Sequence, residues 1–447
     1  MNTDIFEFIH KTRFEDLPQN VTEMAERCSL DLLGVAAAGR RTPLSEIVTN
    51  HSINFFAAGD AISDILFAGK TASPVGAALA GGMTIDSFDA HDGHRLTKGH
   101  AGAAVLPALL AFASSMKNSG HSISGQEFLT ALTIGYEVSL RAGIVLHATA
   151  CDYHTSGAWN SIGAAAIGAR LLKLDESETR HALGIAEYHG PRSQMMRCID
   201  HPTMLKDGSG WGAMSGVSAA YLAKAGFTGA PAITLEGDDV QAYWANLGVE
   251  WEILAQYFKP YPVCRWAQPA VQAVSDMMSL RALDHSTIAK IEIRTFHEAL
   301  RLAGHNPQTT EQAQYAIAYP IAALIVKGKL GAEQLSTESL NDVDIVALSG
   351  KIELSETAEY NSRFPAERWA DVTITTLTGD IFDSPATCPL GDPENPLTDD
   401  HIRLKFRQLC SESLDSDAID RLEEIVCGLR VGSQSADDLL DVVRRYA

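Results

Sequence analysis

The chain has 447 residues, 46% of them apolar and 20% charged, and a formal net charge of −21 from 35 basic and 56 acidic side chains. That length exceeds one compact domain and predicts two or three, with the composition of a folded protein that has a large core. The acid surplus excludes nucleic acid and anionic membrane as expected partners, because no spare basic surface exists to displace counterions. A small anionic substrate, held by a few local cations, stays open.

The N-terminal stretch MNTDIFEFIHKTRFEDLP is acidic and helical in pattern, without the basic start and apolar core of an export signal. Seven scattered cysteines with no CxxC pair predict reduced thiols, so a cytoplasmic location is expected. No window of about eighteen uncharged apolar residues occurs, so no membrane span is expected. From about Leu17 to Leu254, Ala- and Leu-rich segments such as VTEMAERCSLDLLGVAAAG and SGQEFLTALTIGYEVSLRAGIVLHA repeat apolar residues at three- and four-residue steps. They predict an all-helical domain over 1–268. Small residues in GAAAIGA and GAMSGVSAA suit close helix approach, and no GxGxxG or GxxxxGK[ST] pattern marks a nucleotide site.

Beyond Gln268 the pattern changes. IAKIEIRTF, KIELSE and DVTITTLTGDIFDSP alternate apolar and polar residues, with TGD placed for a hairpin turn. Helical TTEQAQYAIAYPIAALIVKG lies between them, so 269–397 reads as a smaller α+β domain. The tail from Leu397, with a Thr-Asp-Asp start, reads as helices over 398–447 that return to the first domain. The fold class expected is mainly α.

The chemistry is concentrated in four segments. DSFDAHDGHRLTKGHAG, residues 86–102, holds three aspartates, three histidines, an arginine and a lysine directly before an apolar helix. Three readings compete. His91, His94 and His100 with Asp89 or Asp92 have the donor types for zinc or iron, the segment suits a solvated loop, and histidines beside carboxylates suit acid/base work near neutral pH. The spacing matches no HxxxH or HExxH motif, which favours the last. In CDYHTSGAWNSIGAA, His154 precedes Thr155 and Ser156, possible caps of the next helix, against the alternative of a capped surface loop. PRSQMMRCIDHPTMLKDGSGWGAMSG places Lys206 before a Gly-rich helix start that fits an anion, or leaves it as a solvent-facing lysine. In FKPYPVCRWAQPAVQAV, Arg265 could take a carboxylate bidentately, or the segment serves as a linker between domains.

Taken in order, DSFDAHDGHRLTKGHAGAAVLPALLA, YHTSGAWNSIGAAAIGARLLKL, MLKDGSGWGAMSGVSAAYLAKAGFTG with its EGDD, KPYPVCRWAQPA and GDPENPLTDDHIRLKF resemble the MmgE/PrpD family from about residue 17 to the end. That family includes 2-methylcitrate dehydratase, cis-aconitate decarboxylase and iminodisuccinate epimerase. The resemblance implies a homodimer, a helical domain completed by the C-terminus, an α+β lid, a cleft site between them, and no metal or organic cofactor. By position it implies catalytic roles for Asp89, His100, His154, Lys206 and Tyr319.

Departures shape the choice of reaction. The chain has His91-Asp92 where members commonly read Asp-Asp, His100-Ala101-Gly102 for His-Pro-Gly, Gly93 where decarboxylase-like members have Thr, and Gln268 for a usual His. Lys98 adds a cation suited to a polycarboxylate, and Gln268 leaves a neutral group beside Arg265 for substrate binding. The resulting expectation is an isomerase: an epimerase moving a proton next to a carboxylate of a small polycarboxylate, most like iminodisuccinate epimerase, with Lys98 among its catalytic residues. The alternative is a lyase of the 2-methylcitrate dehydratase or cis-aconitate decarboxylase type. A non-catalytic binding module is a minor third.

Overall fold

A computed structural model describes residues 4–445, in which helices predominate and strands are few and short. The Ala-rich segments form the helices Gln19–Gly39, Pro74–Asp86, Gly102–Asn118, Gly125–Thr149, Gly157–Leu171 and Ser209–Lys224. Local signals start several helices. Thr42, Ser73, Ser124 and Asp175 each accept a first-turn N–H with a side-chain oxygen. Ser156, read as a possible cap, makes no such bond, because its hydroxyl is engaged in the site described below.

Small residues set the helix spacing. A Cβ built on Gly82 would lie 2.6 Å from the Gly210 Cα, and one on Gly212 would lie 2.0 Å from Asn160 Oδ1. Helix Ser209–Lys224 therefore sits in direct contact with Pro74–Asp86 on one side and Gly157–Leu171 on the other, which brings the ends of all three to one place. Gly125–Thr149 is long and apolar enough to cross a membrane by length and composition, yet 94% of its most apolar window is buried inside the protein. Its neighbours on all sides are helices of the same core, which accounts for the hydropathy.

The apolar side chains gather into two main clusters. One takes residues from Phe8 to Phe258 and then Leu397 to Val443. The other takes most of its members from Val263 to Ile374, together with Met195, Cys198 and Ile199 from far upstream. Helix Asp399–Cys410 crosses back onto Gln19–Gly39, where a Cβ on Gly34 would stand 3.1 Å from the Phe406 Cα. The second cluster backs a four-stranded sheet with spatial order Ile352–Glu356, Ile288–Thr295, Asp371–Thr376, Ile381–Asp383. Its first pair is parallel and the other two are antiparallel. Ile291 and Ile293 point inward while Glu292 and Arg294 face solvent, the alternation visible in IAKIEIRTF. Gly379, at φ 89°, makes the TGD turn.

Candidate active site

The segment 86–102 is not a solvated loop. Of its seventeen residues, Leu96 alone is classed as exposed, and Asp86, Asp89, His91, Asp92, His94 and His100 are all buried. It runs from the end of helix Pro74–Asp86 to the start of Gly102–Asn118, and midway Gly93–His94 pairs antiparallel with Gln256–Tyr257. That pairing sets Tyr257 opposite Gly93 and carries Lys259 over the loop. A Cβ on Gly93 would meet Tyr257 Oη at 2.5 Å and His100 Nδ1 at 2.8 Å, so the approach of these two rings requires glycine there.

Lys259 Nζ donates to Asp89 Oδ1 at 2.5 Å, with both groups buried. Gln314, ending the short helix Thr310–Gln314 of the α+β part, ties three elements together. Its Oε1 accepts from the Asp89 N–H at 2.8 Å and from Lys206 Nζ at 2.9 Å, and its Nε2 donates to the Ser87 carbonyl at 3.2 Å. Lys206 also lies 4.9 Å from the Tyr315 ring centroid. Its φ of 49° and that of Lys98, 50°, fall in the left-handed region that non-glycine residues seldom adopt, and such strain persists where surrounding contacts over-determine it.

His91 and His100 meet edge to face with centroids 4.2 Å apart. His100 Nδ1 lies 2.5 Å from the Asp92 carbonyl, which only accepts, so Nδ1 holds the hydrogen and Nε2 is the open nitrogen. That Nε2 stands 3.8 Å from Asp207 Oδ2. Ser156 Oγ donates to the same Asp207 oxygen at 2.8 Å and accepts the His100 N–H at 2.9 Å. Asp86 accepts from the Ser209 N–H at the start of the Gly-rich helix, a favourable end for a carboxylate.

Burial governs the protonation states. It would raise Asp89, but the charges of Lys259 and then Lys206 outweigh it and hold Asp89 far below the ordinary carboxylate range. Burial, followed by Lys259, pushes His91 down to about 3. Burial and His91 press His100 well below the usual imidazole value. Asp207 is raised by burial and then by the Asp86 charge, and burial raises Asp86 as well. Near neutral pH the cluster thus holds two uncharged imidazoles, an ionised Asp89, a buried lysine salt bridge to it, and a carboxyl pair at 86 and 207 in which Asp207, raised by burial and then by the Asp86 charge, is the more inclined to keep a proton.

Among the described residues, Asp89, His91 and His100 also form a donor set of metal-site type, with ligand atoms within 4.8 Å of one another. Lys259 already neutralises Asp89 and Lys206 adds more positive charge, so electrostatics there oppose a cation and suit an anion. His94 stands apart, 3.4 Å from Glu252.

The remaining residues singled out in the sequence fall in different places. His154 N–H donates to His147 Nε2 at 3.3 Å and the two rings stack at 6.5 Å, and among the described residues no hydrogen bond or ring contact joins the His154 ring to His100 or Lys206. Its segment does run beside the site, since Gly157 N–H donates to the Asp207 carbonyl. Lys98 Nζ lies 5.2 Å from the centroid of Tyr153, whose hydroxyl donates to the Lys98 carbonyl. Arg265 stacks 4.4 Å from the Tyr257 centroid and pairs with Asp392. Gln268 spends its amide N–H groups on the Tyr261 and Val263 carbonyls, both at 2.8 Å, so it braces the loop that carries Arg265. Tyr319 needs correcting: its hydroxyl faces the Ser339 and Gln334 carbonyls at 2.9 and 3.1 Å, and the tyrosine beside Lys206 is Tyr315. Tyr315 closes the helix Thr310–Gln314, whereas Tyr319 lies inside the following helix and turns into the α+β core.

Sequence reasoning missed Lys259, Asp207, Asp86 and Gln314 as members of the site. Lys259 and Asp207 had a signal, each lying inside or beside a quoted motif. Gln314 had none, because its three partners come from other elements.

Comparison with known proteins bears on this cluster. Residues 3–251 match the MmgE/PrpD N-terminal domain and residues 261–430 the MmgE/PrpD C-terminal domain. The cis-aconitate decarboxylase-like protein oryM of Aspergillus oryzae is 23% identical over 488 residues, covering 99% of this chain and 97% of its own length. The cis-aconitate decarboxylase of Aspergillus terreus is 23% identical, covering 93% and 90%. That of Homo sapiens is 25% identical, covering 94% and 90%.

Proposed function

The chain belongs to the MmgE/PrpD family, and on that premise we propose that it is a lyase acting on a small polycarboxylate, of the kind that removes carbon dioxide from a cis-aconitate-like acid. The observation that carries this reading is the buried juxtaposition of Lys206 and Lys259 with neutral His100 and proton-holding Asp207. The relatives at 23–25% identity are decarboxylases or decarboxylase-like, which favours the alternative reading of the sequence over the epimerase.

Decarboxylation breaks the bond between a carbon and its carboxylate. Carbon dioxide leaves, and the electron pair stays on carbon, delocalised into a neighbouring carboxylate as an enediolate. The lysines supply positive charge where that enediolate forms, in a site dry enough for the charge to count. The pair then takes a proton. Asp207 is placed to give it, held by Ser156, and solvent replaces it afterwards. The double bond shifts with that same electron pair, so no proton leaves carbon, and His100, with Nε2 open and 3.8 Å from Asp207, is the group that would relay the solvent proton back to it. Asp89 orders Lys259, while His154 and Lys98 serve from the neighbouring wall. An epimerase needs two opposed proton carriers at one carbon, and the residues gathered around His100 supply one compact set. The reading includes a homodimer, which light scattering in solution tests.

Separate incubation with cis-aconitate, 2-methylcitrate and iminodisuccinate in deuterated water, followed by NMR and mass, decides the class. Release of carbon dioxide from cis-aconitate, with one deuterium in the product, is the expected result. Deuterium exchange into iminodisuccinate without any bond cleavage in the other two would return the assignment to an epimerase. Lys206→Met should lower turnover by about 2.7–4 kcal/mol of barrier, as for loss of one oxyanion donor.

A further inference from the structure

Arg368 is 4% exposed, yet no hydrogen bond or ion pair joins it to any described residue, and its Nε is buried without a partner. Its contact of note is the Phe364 ring, 5.9 Å from the guanidinium carbon. Asp392 acts on it only from beyond ion-pair distance; a buried cation without a direct partner destabilises the fold that holds it, so its place points to an anion that arrives later.

Arg265 is 5% exposed and is brought beside Arg368 by packing: the Phe364 ring under Arg368 meets the ring of Trp266, next in sequence to Arg265, edge to face at 6.0 Å between centroids, and the Arg265 charge acts on Arg368. Its Nε and Nη1 are also buried without a hydrogen bond, and Asp392 is its ion-pair partner. Lys98, which feels the Arg368 charge, brings a third cation from the helical part, with Glu298 acting on it from farther out. The two guanidinium groups thus share one partly buried carboxylate, Asp392, which pairs directly with Arg265 alone. The Tyr257 ring connects this group to the chemistry: Arg265 stacks on it at 4.4 Å, and its edge-on neighbour, at 6.4 Å between centroids, is His100.

We propose that Arg265 and Arg368 form the subsite for a second carboxylate of the substrate, one that undergoes no chemistry and is held bidentately by the paired guanidinium groups. Arg368, absent from the residues singled out by sequence, then selects for polycarboxylates, and the Tyr257 ring sets the spacing between the held carboxylate and the reacting carbon. Planar forks with free N–H donors match carboxylate geometry better than an ammonium does. This inference rests on the substrate being a polycarboxylate, as proposed above.

Binding of tricarballylate, glutarate and butyrate is measured by calorimetry on the full chain, together with the melting temperature without ligand. Arg368→Met should weaken tricarballylate on the order of tenfold or more, as truncation of a buried charge partner does, and leave butyrate unchanged. The unliganded variant should melt at the same temperature or higher, since an unpaired buried charge has gone. Arg368→Lys should restore only part of the affinity, lacking the fork. Tricarballylate affinity within twofold of the parent, or equal losses for all three acids, overturns the subsite. A marked fall in melting temperature makes Arg368 a structural residue and overturns it as well. These readouts need no turnover, so failure of all three substrates in the lyase assay leaves them intact and indicts the reaction assignment instead.

Discussion

Lys259 is wholly buried, and what keeps it there is a single carboxylate. Taking two charges from water costs more than a surface pair returns, but removing one partner of a buried pair leaves the other stranded. Lys259→Met should therefore destabilise the protein by about 3–5 kcal/mol, the usual range for a broken buried pair. Combining it with Asp89→Asn should recover most of that loss, because the stranded charge disappears. Chemical denaturation of the two single variants and the double variant gives the coupling directly. A double variant no more stable than Lys259→Met would show that Asp89 is held by something other than this lysine.

At the scale of elements, the helix Asp399–Cys410 closes the site from behind although 315 positions separate its Lys405 from Ala90 in the loop. Lys405 Nζ donates to Asp31 Oδ1 at 2.6 Å and to the Ala90 carbonyl at 2.6 Å, so one side chain joins the C-terminal helix, helix Gln19–Gly39 and the loop carrying Asp89. Lys405→Met should speed amide exchange in 89–92 and reduce turnover, while a change at the surface pair of Arg421 with Glu424 should leave that loop unaffected. Exchange confined to the C-terminal helix would mean that the tether does not reach the loop.

Elements were the most legible scale in the sequence, since the 3.6-residue and two-residue periods report directly which face is buried. Within the site, Asp89, His100 and Lys206 were visible because ionisable groups crowd beside Gly and an apolar helix. The links between them were not. Lys259 reaches Asp89 across 170 positions, Gln314 reaches Asp89 across 225, and Gln314 reaches Lys206 across 108. Such contacts depend on how whole elements dock. That Tyr315 rather than Tyr319 lies beside Lys206 depends on where one short helix stops and the next begins, and boundaries are what patterns resolve least well.

The whole molecule titrates as a balance of opposed buried groups, and Asp92 exposes the balance. Burial, then the Asp31 charge, raises it from an unfolded value of 3.8 to about 7, while the Tyr136 hydroxyl donates to it at 2.7 Å. Between those two values the native state holds a proton that the unfolded chain has released, so this group's contribution to stability is lost as pH rises from about 4 to about 7, by about 1.4 kcal/mol per unit. Glu137, raised to about 7 by burial, acts in the same direction. His91 and His147, lowered by burial to about 3 and about 4, act oppositely, because below 6.5 the unfolded chain binds protons that these native imidazoles refuse. With both kinds present, the parent's stability should change little over this window. Asp92→Asn keeps the shape and removes one of the groups that lose stability with rising pH. Its unfolding free energy, measured by denaturant titration from pH 4 to 8, should gain on the parent by about 1.4 kcal/mol per unit until pH 7 and then run parallel. Profiles parallel from the start would mean that Asp92 is ionised in the native protein throughout, and that its buried charge is met by the Lys405 end of the C-terminal helix.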